Sequence, residues 1–185
     1  MARTGQIIDN PVSGERIIFN KTAADTDGEY LEIELRLAAD GQVPGMHVHP
    51  SQEERFEVLS GRMRFQMGLK TIEAGPGDVV TVPAGKAHRF VNAGDGEAAV
   101  RVTVTPALEM ERLFETAAEL AHDGRVLDSG MPKPLDLALF VREFRREVRG
   151  PFSPGALQRA AMAPLAWLAT ARGHGERYAA KPAFA

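Results

Sequence analysis

The chain has 185 residues and a mass of 20.1 kDa, which is enough for one ordinary domain or for a small domain with an appendage. Its formal charge of −3 and its 44% of apolar residues argue against a nucleic-acid coat, a polybasic membrane binder or a disordered chain. The absence of cysteine excludes a disulfide scaffold, a thiol nucleophile and an iron–sulfur cluster.

Residues 1–105 show the two-residue alternation of half-buried strands, interrupted by turns rich in glycine and proline. Apolar and charged residues alternate along 29–37, and valine alternates with arginine and threonine along 100–105. Shorter strands are predicted at 16–19, 56–59, 63–67 and 79–82. Many short strands separated by close turns are typical of a β sandwich or barrel.

The pattern becomes helical after residue 105. Helices are predicted over 110–121, 134–148 and 153–172, the last beginning at Ser153-Pro154. We expect Pro164 to kink or break the third helix and Trp167 to anchor it onto the barrel or a second subunit. A basic run at 142–149 is interpreted as a solvated helix face, with a site for an anion or a partner as the alternative. The sequence therefore predicts a β barrel over 1–105 and, over 106–185, a helical extension packed on the barrel or on a partner subunit.

No part of the sequence is typical of a signal peptide or of a membrane span. The first ten residues lack an apolar core of signal-peptide length. The uncharged stretch 160–171 is too short for a helix that crosses a bilayer, which needs about 20 residues. We therefore expect a cytoplasmic protein that binds neither membrane nor nucleic acid.

Three histidines lie in two compact constellations. His47 and His49 are two residues apart, so on a strand they point to the same side with about 6–7 Å between them. Glu54 follows a short bend that can bring its strand alongside, and His88 follows the turn sequence at 83–85. Three imidazole nitrogens and one carboxylate oxygen suit a divalent first-row metal and leave positions open for water or substrate.

Either half of this pattern alone has a simpler interpretation. A His-x-His pair is more often surface decoration or ordinary packing than a metal site, and the acidic residues after it can form a solvated turn. The second histidine, in a matching context of turn and strand, is what favours the metal interpretation.

Both constellations fit the two motifs of the cupin superfamily without a mismatch. The first, G(x)5HxH(x)4E(x)6G, covers 41–61, and the second, G(x)5PxG(x)2H(x)3N, covers 77–92. Residues 30–105 therefore resemble a cupin, which implies an antiparallel β barrel of the double-stranded jelly-roll type. The resemblance also implies one divalent transition metal (Fe, Mn, Ni, Zn, Co or Cu). The ligands that it implies are His47, His49, Glu54 and His88, with Asn92 in a structural role.

Glu53 is an alternative to Glu54 as the carboxylate ligand, and strand parity favours Glu54. An inward Glu53 would bring two further charged side chains of the same strand into a closed barrel at high cost. The inward-facing residues predicted by this parity, and by alternation on the neighbouring strands, are Phe56, Val58, Met63, Phe65 and Phe90. Plain core packing is the other interpretation of these side chains. Those that reach the metal chamber would favour an aromatic or otherwise apolar substrate over a sugar phosphate.

The resemblance implies a metal-dependent enzyme that acts on a small molecule. Similar cupins with three histidines and one carboxylate include dioxygenases of flavonols and other aromatic or enol substrates. We therefore expect a dioxygenase-type oxidoreductase in which Glu54 is the catalytic residue. The alternatives are a metal-dependent isomerase or lyase, and a cupin that binds a small molecule without turnover. No organic cofactor is expected, because no nucleotide fingerprint is present. A homodimer is expected, because cupins often pair through their barrel edges; the alternative is that the helical extension covers such an edge.

Overall fold

The computed structural model describes residues 2–39, 41, 43, 45–151 and 154–178. The strands are β1 (Ile7–Asn10), β2 (Glu15–Lys21), β3 (Leu31–Leu37), β4 (Glu53–Ser60), β5 (Met63–Met67), β6 (Lys70–Ala74), β7 (Val79–Val82), β8 (His88–Asn92) and β9 (Ala98–Thr105). The helices are α1 (Met110–His122), α2 (Pro134–Glu143) and α3 (Gly155–Ala171), with 3-10 turns at Ala24–Thr26 and His174–Tyr178. Within this part of the chain, no helix is long and apolar enough to cross a bilayer.

The strands form two antiparallel sheets. The larger sheet has the order β1-β2-β3-β9-β4-β7, and the smaller one has the order β6-β5-β8. Aromatic side chains join the two sheets, because the ring of Phe56 on β4 lies 5.1 Å from that of Phe65 and 5.0 Å from that of Phe90 on the smaller sheet. Such edge contacts add to the stabilisation from burying the rings. The predicted jelly-roll barrel with a C-terminal helical extension is confirmed.

Alternation of residue type determines which face of each strand is buried. The side chains of β3 alternate between buried and half-buried along its whole length, starting from a fully buried Leu31. Two strands were not predicted, β1 and β6. The described residues of β1 include none that is buried, and β6 buries only Ala74, so neither has the apolar alternation that indicates a strand.

Gly61 makes the tight turn between β4 and β5 possible. Its φ is +78°, in the left-handed region that side chains other than glycine rarely adopt. A Cβ atom at this position would lie 2.7 Å from the Cα of Ala98, so the approach of β9 also requires glycine. The turn brings the small sheet over the large one.

Helix α1 packs against the first two strands of the barrel. The Nε2 of Gln6 donates to the Glu115 carboxylate at 3.0 Å, and the carboxylate of Glu111 accepts a hydrogen bond from the backbone of Ala23. Since Leu113 and Leu120 are buried on the same helix, α1 is held by both apolar and polar contacts.

Helix α2 ends earlier than its apolar pattern predicts. The prediction that it runs to Val148 is wrong, because the helix ends at Glu143 and the chain then turns. The turn brings Arg149 opposite Val48, where each backbone N–H donates to the other residue's carbonyl at 3.0 Å. Phe144 is fully buried, so the apolar spacing typical of a helix continues past the point where the helical backbone ends.

Helix α3 runs without a break from Gly155 to Ala171, and its predicted start at Ser153 lies outside the described residues. Pro164 does not end the helix, since it lies on the exposed side, where water can solvate the carbonyl that loses its donor. Trp167 is 72% exposed, so the expectation that it anchors α3 onto the barrel is wrong. Contact of Trp167 with a second subunit stays a prediction.

Candidate metal centre

The fold brings together the four residues of the two histidine motifs. His47 lies opposite His88 in an antiparallel bridge, with backbone hydrogen bonds of 3.0 and 2.9 Å. His49 is two residues further along and points to the same side, while Glu54 projects inward from the start of β4. The potential ligand atoms of His47, His49, Glu54 and His88 all lie within 4.8 Å of one another.

The distances between the ligand atoms suit a single small ion. The Nε2 atoms of His47 and His49 are 3.1 Å apart. Oε2 of Glu54 lies 2.8 Å from Nε2 of His88 and 3.4 Å from Nε2 of His49. Two ligands at right angles, on an ion with bonds of about 2.1 Å, stand about 3 Å apart. The cluster can therefore hold a divalent metal.

Each imidazole is oriented by a backbone carbonyl on its far side. Nδ1 faces the carbonyl of Gly45 at 3.2 Å in His47, that of Glu147 at 2.6 Å in His49 and that of Lys86 at 3.2 Å in His88. Because a carbonyl can only accept, the proton belongs on Nδ1 in each ring, and the lone pair of Nε2 points into the cluster. All three rings thus have the tautomer that a metal ligand needs.

Two atoms of the cluster are buried without a hydrogen bond. Oε2 of Glu54 and Nε2 of His88 have no hydrogen-bond partner among the described residues. Although these atoms are 2.8 Å apart, both are acceptors once the His88 proton is on Nδ1. Buried polar atoms left in this way cost free energy, and a shared cation would satisfy them both.

The protonation states also suit a metal. Burial, followed by the neighbouring imidazoles, lowers the pKa of His47 to about 3. Burial alone would raise the pKa of Glu54, but the imidazoles of His49, His88 and His47 outweigh it when they carry a second proton, and they lower the pKa to about 2. At neutral pH the cluster therefore offers a neutral His47 imidazole and an ionised Glu54, the forms in which these groups bind metal.

The burial of Glu54 and Glu53 on β4 agrees with the strand parity that favoured Glu54 as the inward-facing carboxylate. Glu54 is 4% exposed, whereas Glu53 is on the surface. Asn92, the last residue of the second motif, lies apart from the ligand atoms. Its Nδ2 donates to the backbone carbonyls of Leu37, Ala38 and Gly96 at 3.1, 2.9 and 2.7 Å, so it fastens β8 to a neighbouring loop.

An apolar cavity of about 240 Å³ opens onto His47, His49 and Glu54. From the barrel it is lined by Ile17, Ile33, Leu35, Phe56, Phe90 and Val102. From the helical extension it is lined by Met110, Leu113, Phe114, Leu137, Phe140 and Val141. Of the five residues expected to line the interior, Phe56 and Phe90 reach this cavity. Val58, Met63 and Phe65 are buried in the core behind it.

The helical extension supplies parts of the site that the sequence analysis missed. The interpretation of 142–149 as a solvated helix face is wrong for its last part, since Glu147 is 2% exposed and Arg149 lines the cavity. The contact to His49 comes from a backbone carbonyl, which every residue has, so no sequence signal could have identified Glu147. Glu15 also lines the cavity. Its place in the alternation with Ile17 and Phe19 on β2 could have marked it as inward-facing.

Comparison with known proteins agrees with this geometry. The family model of the cupin domain matches residues 34–105. Protein SCO3923 of Streptomyces coelicolor is 36% identical over 75 residues, which cover 36% of this chain and 70% of that protein.

Two solved structures show the same fold. A predicted oxalate decarboxylase from Thermotoga maritima is 19% identical with a TM-score of 0.50, over 57% of this chain and 98% of its own. KdgF from Halomonas sp. is 14% identical with a TM-score of 0.50, over 57% of this chain and 92% of its own. Motifs, barrel and comparisons agree, and the chain belongs to the cupin superfamily.

Proposed function

We propose that this cupin is a metal-dependent oxidoreductase of the dioxygenase type, acting on a small aromatic or enol substrate. The observation that carries the proposal is the meeting of two features, the His-His-Glu-His cluster and the apolar cavity that opens onto it. A redox-active divalent metal bound there would supply Lewis acidity and a site for dioxygen chemistry.

The residues of the chain have distinct parts in this proposal. His47, His49, His88 and Glu54 would hold the ion, and the three backbone carbonyls behind the histidines keep the rings in place. The apolar wall, which includes Phe56, Phe90 and Phe140, excludes water and favours the flat apolar body of an aromatic substrate. Glu54 is the proposed catalytic residue, because its carboxylate, by partly leaving the metal, could take the proton of a substrate hydroxyl.

The test is oxygen consumption by protein loaded separately with Fe(II), Mn(II), Co(II), Ni(II), Cu(II) and Zn(II). A panel of catechols and cyclic enols is added, and oxygen uptake is measured with an electrode and compared with product formation by mass spectrometry. Uptake that requires both metal and substrate is expected for at least one redox-active metal. The Glu53→Gln variant should keep this activity, because Glu53 is exposed, and the Glu54→Gln variant should lose it.

The alternatives give different results in the same assay. Conversion of substrate without oxygen would replace the proposal with a metal-dependent isomerase or lyase. Tight binding of panel compounds without any conversion would replace it with a binding protein.

We also propose a homodimer in the cytoplasm. Leu157, Leu165 and Trp167 on α3 are exposed large apolar side chains, which supports contact with a second copy. Light scattering after size-exclusion chromatography should give about twice the mass of the chain, and cell fractionation tests the location.

A further inference from the structure

The cavity has a second polar position far from the metal cluster, at Glu15. Glu15 begins β2 and alternates with Ile17 and Phe19, both of which are buried. In the sheet it pairs with Leu37, which is fully buried, so its side chain lies on the inner face. Among the described residues that line the cavity, Glu15 and Glu54 are the two acidic ones.

The strand register separates Glu15 from the cluster. Glu54 pairs with Val104, which pairs with Leu31 on β3, whereas Glu15 pairs with Leu37 at the other end of β3. Six residues along a strand span roughly 20 Å between the two backbone positions. Glu15 and the cluster therefore start from well-separated backbone positions, and both line the one cavity together with many apolar side chains.

The surroundings of Glu15 leave its carboxyl group available to a ligand. The Oγ of Ser13 donates to Oε2 at 2.5 Å, and no ion pair involves Glu15 in the part of the chain that the structure describes. Burial raises the pKa of Glu15 to about 7, and the Ser13 hydrogen bond lowers it by less. A carboxyl group with this pKa can donate or accept a hydrogen bond at neutral pH.

Its polar neighbour Asn10 does not compete for this role. The Oδ1 of Asn10 accepts hydrogen bonds from the backbone of Val12 and Ser13 at 3.1 and 3.2 Å, so it closes the turn between β1 and β2. Glu15 itself is half-buried and has a single hydrogen bond, from Ser13, so a polar group of a bound molecule could fill its remaining hydrogen-bonding capacity.

We propose that Glu15 and the metal cluster are the two polar ends of one binding site. The ligand is then an elongated, mostly apolar molecule with an oxygen donor at one end, for the metal, and a hydroxyl group at the other, which hydrogen bonds to Glu15. Only the contact between the ligand's oxygen donor and the metal rests on the proposed function. The Glu15 contact does not require the metal.

The experiment compares two probes that differ only in a distal hydroxyl group, 4-hydroxystilbene and 4,4′-dihydroxystilbene. Their dissociation constants are measured by calorimetry with metal-loaded and with metal-free protein. The dihydroxy probe should bind about tenfold more tightly, the value of one hydrogen bond to a charged or partly charged group. The Glu15→Leu variant should bind both probes with the affinity of the wild type for 4-hydroxystilbene. Glu29→Leu, which replaces an exposed glutamate, should keep the preference.

A second measurement needs no variant. In protein labelled with ¹³C at the glutamate side chains, the dihydroxy probe should shift the Glu15 carboxyl resonance and the monohydroxy probe should not. The Glu15→Gln variant, which keeps the shape of the side chain, assigns the resonance and preserves the comparison if Glu15→Leu does not fold.

Equal affinity of the two probes for the wild type, or no binding of either, would overturn the inference. Metal content, measured on the same samples, separates this failure from a failure of the proposed function. A wild-type chain that binds no metal but prefers the dihydroxy probe contradicts the proposed function alone. A chain that binds metal normally and shows no preference contradicts only the role of Glu15.

Discussion

His49 donates its Nδ1 proton to the backbone carbonyl of Glu147, a residue 98 positions further along the chain, at 2.6 Å. Glu147 lies in the turn after α2, and its own carboxylate accepts a hydrogen bond from the backbone of Glu109 at 3.3 Å. The helical extension therefore fixes the orientation of a candidate metal-ligand ring that belongs to the barrel.

Replacing the Glu147 side chain should weaken metal binding without removing a ligand. In Glu147→Ala the turn loses its attachment to Glu109, so the carbonyl behind His49 is held less firmly. Loss of such outer contacts lowers metal affinity by about 10–100-fold. Competition with a fluorescent chelator measures the affinity, and Arg145→Ala, at an exposed position of the same turn, is the control. Equal affinities in the two variants would show that the Glu147 contact does not support the site.

Glu54 and Glu53 allow a matched test of the carboxylate ligand. Glu54→Gln removes a buried charge from the cluster and should lower metal affinity by more than about a hundredfold, beyond the effect of an outer contact. Glu53→Gln removes an exposed charge and should leave affinity unchanged. The metal content of both variants after dialysis, measured by elemental analysis, decides the matter. Retention of metal by Glu54→Gln with loss in Glu53→Gln would reverse the assignment.

Removal of the metal should leave the barrel folded. The core is built from buried apolar side chains of both sheets, such as Phe19, Phe56 and Phe65, and does not depend on the ion. An ion at 100 times its dissociation constant adds about 2.7 kcal/mol to the stability of the folded state. Chelation, or the His49→Ala substitution, should therefore lower the melting temperature and leave the circular dichroism spectrum unchanged. An unfolded spectrum at 20 °C after chelation would mean that the metal is structural.

Glu15 should make stability fall as pH rises through neutrality. Its pKa is about 7 in the folded state against 4.5 in the unfolded chain, so the folded state binds the additional proton between these values. The stabilisation is complete below about pH 4.5 and is lost as pH rises through about 7, by an amount on the order of 3 kcal/mol. Urea unfolding of the wild type and of Glu15→Gln at pH 5 and pH 8 measures this change in the free energy of unfolding. The variant should be more stable relative to the wild type at pH 8 than at pH 5. An identical difference at both values would contradict the raised pKa.

The sequence predicted those parts of the molecule in which the side chain itself carries the information. Alternation identified β3 and its inner face, and the spacing of the histidines brought out His47, His49, Glu54 and His88, which the fold does bring together. The end of α2 could not be read from apolar spacing, because Phe144 remains buried after the helix has ended. The contact of Glu147 with His49 is made by the backbone, which leaves no trace in residue type.

The division of the cavity wall has a consequence for how such a protein can change. All four candidate metal ligands come from residues 47–88, whereas about half of the apolar wall comes from the helical extension. Half of the chamber's wall is thus encoded in a stretch of the polypeptide that contributes no candidate ligand side chain. Substitutions at Leu113, Leu137 or Phe140 can remodel the compounds admitted while the ion-binding apparatus stays intact, so new specificities are accessible without rebuilding the reactive centre.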